Sequence, residues 1–367
     1  MMKKVERFAK VALARFVARF LRVEKIDASE FSRIAVERLL VIRQHNQMGD
    51  MLLAVPAFRG LRRRFPGARI TLVGSPINSL VMENNPYVDE VLTYAKHRSR
   101  RDPLELARFV GELRRRRFDA AIVLNTVSFS VTSMLLAAAS GARLRIGSTS
   151  APFGHDLTSR FYHLELPLPS VDELARMHES QHNLYPLAAI GVRESDLGSL
   201  LVPSEADRDA ARRFIAAAFG AEAPFVVCHP GAGKKQNIWP PERFAELVRQ
   251  LYERRGLAVA VVRGPMDRET MDAFLAASAR PPAVISCPSV GFLGALMERA
   301  ALVLCNDTGI MHIAGAVGAR CVALFGPTDP ARWKPVNENV VAVRGMNGEV
   351  VSVTVAEALE AALRLLG

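Results

Sequence analysis

The chain has 367 residues, more than one hydrophobic core normally organises, so two domains are expected. Half of the residues are hydrophobic and no tract is of low complexity, which excludes a disordered chain. A formal net charge of +11 favours an anionic partner, whether phospholipid, nucleic acid or phosphorylated substrate; aromatics at 7% and the lack of any nucleic-acid-binding motif argue against nucleic acid.

No apolar run reaches the ~18 residues that cross a bilayer. Basic residues interrupt the N-terminal apolar positions too often for a secretory signal, so a cytoplasmic protein is expected. The four cysteines, Cys228, Cys287, Cys305 and Cys321, form no CxxC pair. Neither they nor the histidines have metal-ligand spacing, so free thiols and no metal site are expected.

In chain order, residues 3–25 read as an amphipathic helix. Val5, Ala9, Ala12, Leu13, Phe16, Phe20 and Val23 share one face, and Lys3, Lys4, Arg7, Lys10, Arg15, Arg19, Arg22 and Lys25 carry the charge. Such a helix either lies on an anionic membrane or packs on the first domain with a solvated basic face. Residues 1–36 are therefore set apart as helix and linker, with a first domain over 37–200.

That domain opens with a buried strand over 39–42, a loop over 43–49, and a helix over 51–64 that Asp50 precedes. Strands over 70–73, 90–92, 120–124 and 145–147 alternate with helices near 77–82, 103–116 and 130–140. Near-continuous apolar strands between helices predict a parallel sheet covered on both faces. Residues 148–182 show no regular pattern, and a helix near 178–190 ends at Gly191.

A second domain over 201–350 repeats the alternation after a helix at 205–218. Its strands are expected over 225–228, 258–262, 283–285, 302–304 and 321–325, its helices over 241–254, 292–299 and 310–317. A last helix, 354–366, lies in a C-terminal segment over 351–367. The expected fold class is α/β: two Rossmann-like, doubly wound domains with a cleft between them at the carboxyl ends of both sheets, where ligands bind in open α/β folds.

Four places offer chemistry. Over 302–316 a buried strand stops at Asn306-Asp307-Thr308-Gly309 and a helix begins, so its free N–H groups and dipole make an anion site. Thr308 and Gly309 allow close approach, and His312 lies one turn further on the same face. The plainer alternative makes Asp307 and Thr308 helix caps and His312 a core residue. Over 229–239 a loop with Gly231 and Gly233 follows another strand, with Lys234 and Lys235 as phosphate contacts or solvated charges. Asp50 either takes a proton from an attacking hydroxyl or caps its helix. Asp267 and Glu269, in the loop after the 258–262 strand, either accept hydrogen bonds from ribose or are solvated. No P-loop, GxGxxG, GxSxG, HExxH or paired Asp-x-Asp is present.

These blocks, in this order, resemble glycosyltransferase family 9, the ADP-heptose:lipopolysaccharide heptosyltransferases, over about 39–365. They are Val41-Ile42-Arg43 with Met48-Gly49-Asp50-Met51-Leu52-Leu53-Ala54-Val55-Pro56-Ala57; His229-Pro230-Gly231-Ala232-Gly233 through Trp239-Pro240-Pro241-Glu242-Arg243-Phe244; Asn306-Asp307-Thr308-Gly309 with Met311-His312; and Ala323-Leu324-Phe325-Gly326-Pro327-Thr328-Asp329-Pro330. The resemblance implies a GT-B fold, with the acceptor on the first domain and the nucleotide-sugar donor on the second. It also implies inverting transfer with no bound metal or other cofactor.

By position, Asp50 matches the family's general base, and Asp307, Thr308, Gly309 and His312 match residues holding the donor diphosphate. Lys234 matches its phosphate-binding lysine, although many members carry that lysine where Asn237 stands. Asp267 or Glu269 matches the ribose-binding acid. Gly49, Arg62 and Arg63 are the expected contacts of an anionic glycolipid or saccharide acceptor, beside the further arginines Arg64 and Arg114 to Arg117. A monomer, peripheral on the cytoplasmic face of the inner membrane through residues 3–25, is the implied form. The competing readings are a nucleotide-sugar epimerase on the same fold and a non-catalytic basic module that binds membrane or nucleic acid.

Overall fold

Continuous apolar runs become the central strands of two sheets. The computed structural model describes residues 11–12, 14–21, 23–44, 47–96, 102–126, 129–151 and 157–367. The chain divides into two compact units, one ending at Leu197 and one spanning Gly198–Gly367.

In the first unit, β1 (Arg38–Arg43), β2 (Arg69–Gly74), β3 (Glu90–Thr93), β4 (Ala120–Val123), β5 (Leu144–Ser148) and β6 (Leu164–Leu166) form one sheet in the order β3-β2-β1-β4-β5-β6. All its pairings are parallel, with Leu39 opposite Ile70 on one side and Ala120 on the other. β1 and β2 are buried at every position after the first. Helices on both faces leave no solvent side, so alternation disappears from the sequence. Ser75, Asp102 and Ser130 cap the helices Pro76–Leu80, Pro103–Arg115 and Val131–Ala139 with their side-chain oxygens.

The single helix expected over 51–64 is two, Met48–Leu52 and Val55–Arg64. Pro56 has no N–H to donate back into a preceding turn but suits the first turn of a new helix, so the chain breaks before it.

In the second unit, β7 (Phe225–His229), β8 (Ala258–Arg263), β9 (Ala283–Ser286), β10 (Leu302–Asn306), β11 (Cys321–Phe325) and β12 (Val340–Arg344) have the order β12-β11-β10-β7-β8-β9, again all parallel. Renumbered within its unit, each sheet is 3-2-1-4-5-6, the Rossmann order. It reverses between β1 and β4 in the first unit and between β7 and β10 in the second, which leaves a crevice at the carboxyl ends of those strands. The helix Val355–Leu366, with a Thr354–Glu357 capping box, packs Ala358, Leu359, Ala361 and Ala362 into the core of the second unit.

The elements not expected from sequence include the edge strands β6 and β12 and the helix Arg268–Ala277. Cys228, Cys305 and Cys321 are buried free thiols, while Cys287 is exposed. At the N-terminus, residues 11–12 and 14–18 are helical, and Lys3, Lys4, Val5, Arg7, Ala9, Lys10, Leu13 and Arg22 lie outside the described residues. The face that the packed alternative would bury is not the one that is buried. Ala14 and Ala18 enter the core of the first unit, while Phe16 and Phe20 are 57% and 73% exposed.

Candidate active site

In the first unit the polar groups gather where β1 and β4 end. Arg43, the last residue of β1, is wholly buried. Its guanidinium donates to the carbonyl oxygens of Leu124, just past β4, at 3.1 Å, and of Asp50 at 3.0 Å. Burial pushes its pKa down, and the carboxylates of Asp50 and Glu179 oppose that shift. Asp50 is 6% exposed and stands third in the helix Met48–Leu52. The N-cap of that helix is Gln47, so Asp50 is not its cap.

The helix Glu179–Leu184 closes this cluster from below. Glu179, His182 and Asn183 are buried. His182 Nδ1 sits 3.3 Å from the Glu179 carboxylate. Asn183 donates to Glu179 O at 2.9 Å and to Leu53 O at 3.4 Å, and accepts from the Thr126 hydroxyl at 3.0 Å. The helix therefore ties the end of β4 to the chain that carries Asp50.

In the second unit the carboxyl ends of β7 and β10 are joined through one side chain. Asn306, the wholly buried last residue of β10, donates to Pro230 O at 2.9 Å and Gly231 O at 3.1 Å. Its Oδ1 accepts from the Trp239 N–H at 3.0 Å. Trp239 is itself buried against Phe244 and donates its indole N–H to Val353 O. The intervening loop is thus fixed at both ends, and Lys234 lies exposed on it.

Beside it, Asn237 donates to the Asp307 carboxylate at 3.0 Å. Burial raises the Asp307 pKa, offset by the Thr328 hydroxyl and by the nearby Lys234 ammonium. Thr308 is the N-cap of the helix Gly309–Ala316, its hydroxyl accepting from the Ile310 N–H at 3.3 Å. His312 is buried one turn further on. The arrangement concentrates backbone N–H groups and an exposed cation at a single place, which suits a phosphate.

On the β8 side, the buried Asp267 carboxylate lies 3.0 Å from His229 Nε2 and accepts from the Gly264 N–H at 2.7 Å. The His229 contact, foremost, holds its pKa below the usual carboxylate range. A methyl group at Gly231 would collide with this carboxylate, which is why the loop needs glycine there. Around Gly233 there is open space, so nothing similar constrains it.

The profile of glycosyltransferase family 9 (heptosyltransferase) matches residues 106–361. The chain belongs to this family. Lipopolysaccharide heptosyltransferase 3 of Escherichia coli strain K12 is 24% identical over 299 residues, covering 80% of this chain and 84% of that protein. Among solved structures, the glycosyl transferase family 9 protein from Veillonella parvula DSM 2008 matches with a TM-score of 0.78 at 23% identity, covering 94% of this chain and 99% of that one. The E. coli ADP-heptose lps heptosyltransferase II matches with a TM-score of 0.73 at 23% identity, covering 90% and 98%. The two Rossmann-like units are the GT-B fold, and the protein is a glycosyltransferase, not an epimerase or a non-catalytic basic module.

Within this family 9 glycosyltransferase the expected residues divide. Asp50, with Gly49 beside it in the same short helix, stands at the carboxyl edge of the first sheet. Lys234, Asp307, Thr308, Gly309 and His312 cluster at that of the second. Asp267 meets Gly231, whereas Glu269 is exposed on the first turn of the following helix.

Arg62 and Arg63 sit apart from Asp50. A helix that follows a parallel strand runs back along the sheet, so its last turn lies at the opposite end from Asp50. There Arg62 pairs with Asp89 and donates to Ala68 O, and Arg63 pairs with Glu194. The other arginine run behaves similarly: Arg116 pairs with Glu90 and Glu112, and Arg114 donates to Ala139 O. These arginines hold the first unit together.

The sequence reading missed Arg43, Glu179, Asn183, Asn237 as a partner of Asp307, and Asn306 as the staple. One signal was available for Arg43, an arginine that ends an otherwise apolar core strand, where burial demands compensation. Among the described residues no group of histidine, cysteine and acidic side chains is arranged to hold a metal ion.

Proposed function

We propose that this enzyme transfers heptose from ADP-heptose to a hydroxyl of a lipopolysaccharide-core glycan, with inversion. Asp50 takes the acceptor's proton, and the leaving diphosphate is received by the N–H groups at Thr308 and Gly309, with Lys234 and His312. An in-line displacement asks chiefly for positioning and for stabilised charge on the departing group. Asp307 orients Asn237 and draws Lys234 toward the same point, so its role is indirect, since a carboxylate against a phosphate is repulsive. Asp267 lies where a ribose would be met.

The observation that carries this reading is the repeated placement of reactive groups at a strand-order reversal, a carboxylate in one unit and a helix amino terminus with a lysine in the other. The names of the relatives support heptose and adenosine diphosphate as the transferred sugar and the carrier. With helix dipole and ammonium taking up the leaving charge, the reading needs no metal.

The test is direct. ADP-heptose is expected to raise the melting temperature, because it binds only the folded state. Acceptor-dependent release of ADP is expected to persist in excess chelator. Conversion of the donor without any acceptor, or a chelator effect reversed by metal, would overturn the reading.

The N-terminal helix belongs to the same proposal. Exposed Phe16 and Phe20, which meet edge-on, sit beside exposed Arg15 and Arg19. Exposed aromatics flanked by cations suit the headgroup region of an anionic leaflet, where a glycolipid acceptor is held. No helix among the described residues is long and apolar enough to cross a membrane. Co-sedimentation with phosphatidylglycerol vesicles is expected to fall at least tenfold when Phe16 and Phe20 are both replaced by serine. Unchanged sedimentation would show that this face does not meet lipid.

A further inference from the structure

A parallel sheet wound on both sides buries its strands on both faces, and β7, β10 and β11 are buried at every position. The starts of β8 and β9 break this rule. Ala258, Val259 and Ala283 are only half-buried, although β8 lies inside the sheet, between β7 and β9. The helix Arg268–Ala277 ends here, with the Ser278 hydroxyl donating to Phe274 O, and the chain reaches β9 through Ala279, Arg280, Pro281 and Pro282.

What is left is a cavity of about 630 Å³ between that helix, the helix Pro241–Arg255 and the end of the helix Glu205–Phe219. Small-molecule sites have this size, roughly 300–1,000 Å³. The floor is apolar: Ala245, Val248 and Phe274 are buried, and Phe219, Val259 and Pro282 complete the wall. The cavity sits at the amino ends of β8 and β9, the opposite end of the sheet from Lys234, Asp267 and Thr308, so the groups assigned to the donor do not use it.

Its charge is not balanced. Two cations, Arg249 and Arg280, and one carboxylate, Glu253, line it. Arg249 is taken up within its own helix, by Glu246 and Glu253 at 2.6 Å each. Arg280 is exposed, and its guanidinium lies over the Tyr252 ring, 4.0 Å from the centroid. No carboxylate among the described residues pairs with it. A guanidinium resting on an aromatic face keeps its N–H edge for a further partner.

We propose that this cavity binds a single-chain anionic amphiphile, its alkyl chain against Val248, Val259 and Phe274 and its head group on Arg280. A wholly apolar ligand would leave the guanidinium without a counter-charge. A small hydrophilic anion would leave the apolar floor wet. A chain with one anionic end meets both conditions. Fatty carboxylates and alkyl phosphates share this chemistry. The site does not depend on the roles assigned to Asp50 or to the donor groups.

The experiment is calorimetric titration of the full chain with sodium decanoate, decyl phosphate and uncharged 1-decanol. Decanoate is expected to bind with a Kd on the order of 100 μM. Octanoate is expected to bind roughly tenfold more weakly, because two buried methylenes are lost. Decanol, with the same chain as decanoate, is expected to bind about fivefold more weakly, and Arg280→Gln to remove that difference while keeping the chain-length step. Val259→Trp fills the floor and is expected to abolish binding of both. If it does not fold, Ala279→Trp, at an exposed position on the rim, carries the test. Tighter binding of decyl phosphate than of decanoate assigns the site to a phosphate-headed lipid, and the reverse order assigns it to a free fatty acid. Equal binding of decanol and decanoate by the wild type, no dependence on chain length, or unchanged affinity in the folded tryptophan variants overturns the proposal.

Discussion

Asp50→Asn is expected to lower turnover by about a thousandfold while the affinity for ADP-heptose and for ADP stays within twofold of wild type. The expectation follows from where the residue stands. Asp50 is buried in a short helix at the end of β1, and the cap of that helix is another residue, so capping does not account for a carboxylate there. Asparagine keeps the volume, and the backbone carbonyl that Arg43 grips is untouched, so the local fold should survive. What is lost is the ability to accept a proton as the acceptor oxygen attacks, worth about 10²–10⁴ in rate.

Donor binding should not follow, because the groups assigned to the diphosphate and the ribose all belong to the second unit. Acceptor-dependent ADP release gives the rate, and the thermal shift on adding ADP gives the binding. Turnover within tenfold of wild type would remove Asp50 from the chemistry. A parallel loss of ADP binding would mean that the substitution disturbs the fold, not the proton transfer.

The fold was largely legible because its signals are local. Buried parallel strands announce themselves as apolar runs such as 39–42 and 321–325, and breaks at Pro66-Gly67 and Gly191 mark helix ends. The missed elements fail this logic in different ways. β6 has three residues, Leu164, Glu165 and Leu166, too few for any pattern. The helix Arg268–Ala277 buries only Met271 and Phe274, a weak stripe behind a charged start. β12 is an apolar run, Val340-Val341-Ala342-Val343, which the same reasoning ought to have found.

The site was legible where a strand end, a turn and a helix start are contiguous in sequence, as at Asp50 and over 306–312. It was illegible where function depends on long-range contacts. Asn183 lies 130 residues beyond Leu53 in the numbering, and Asn237 lies 70 before Asp307, so neither spacing carries a signal. The partners of Arg62 and Arg63 are hidden for a related reason. Their charge is visible in sequence, but Asp89 and Glu194, which neutralise it, are not.

Asn306→Ala should damage both stability and donor binding, and the coupling between the two is the informative part. The side chain makes three hydrogen bonds from a wholly buried position, two donated to the start of the loop after β7 and one accepted from its end. Truncation strands two carbonyl oxygens and one N–H, at about 1 kcal/mol or more each, so a loss on the order of 3 kcal/mol in unfolding free energy is expected. Lys234 and Asn237 ride on the released loop, so ADP affinity should fall at least tenfold although neither residue is changed.

Asn306→Asp separates geometry from hydrogen-bond polarity. A carboxylate there still accepts from Trp239 but faces the carbonyl oxygens of Pro230 and Gly231, so burial and these acceptors raise its folded pKa above the ~3.9 of an unfolded aspartate. The protonated form can donate one of the lost bonds. The folded state then binds more protons than the unfolded state, and stability must fall as pH rises through that window. Urea unfolding at pH 5 and pH 8 should therefore rank Asn306→Asp above Asn306→Ala at the lower pH and lose that margin at the higher. If Asn306→Ala binds ADP as tightly as wild type, the loop that it staples takes no part in holding the donor, and Lys234 must be released from its assigned role.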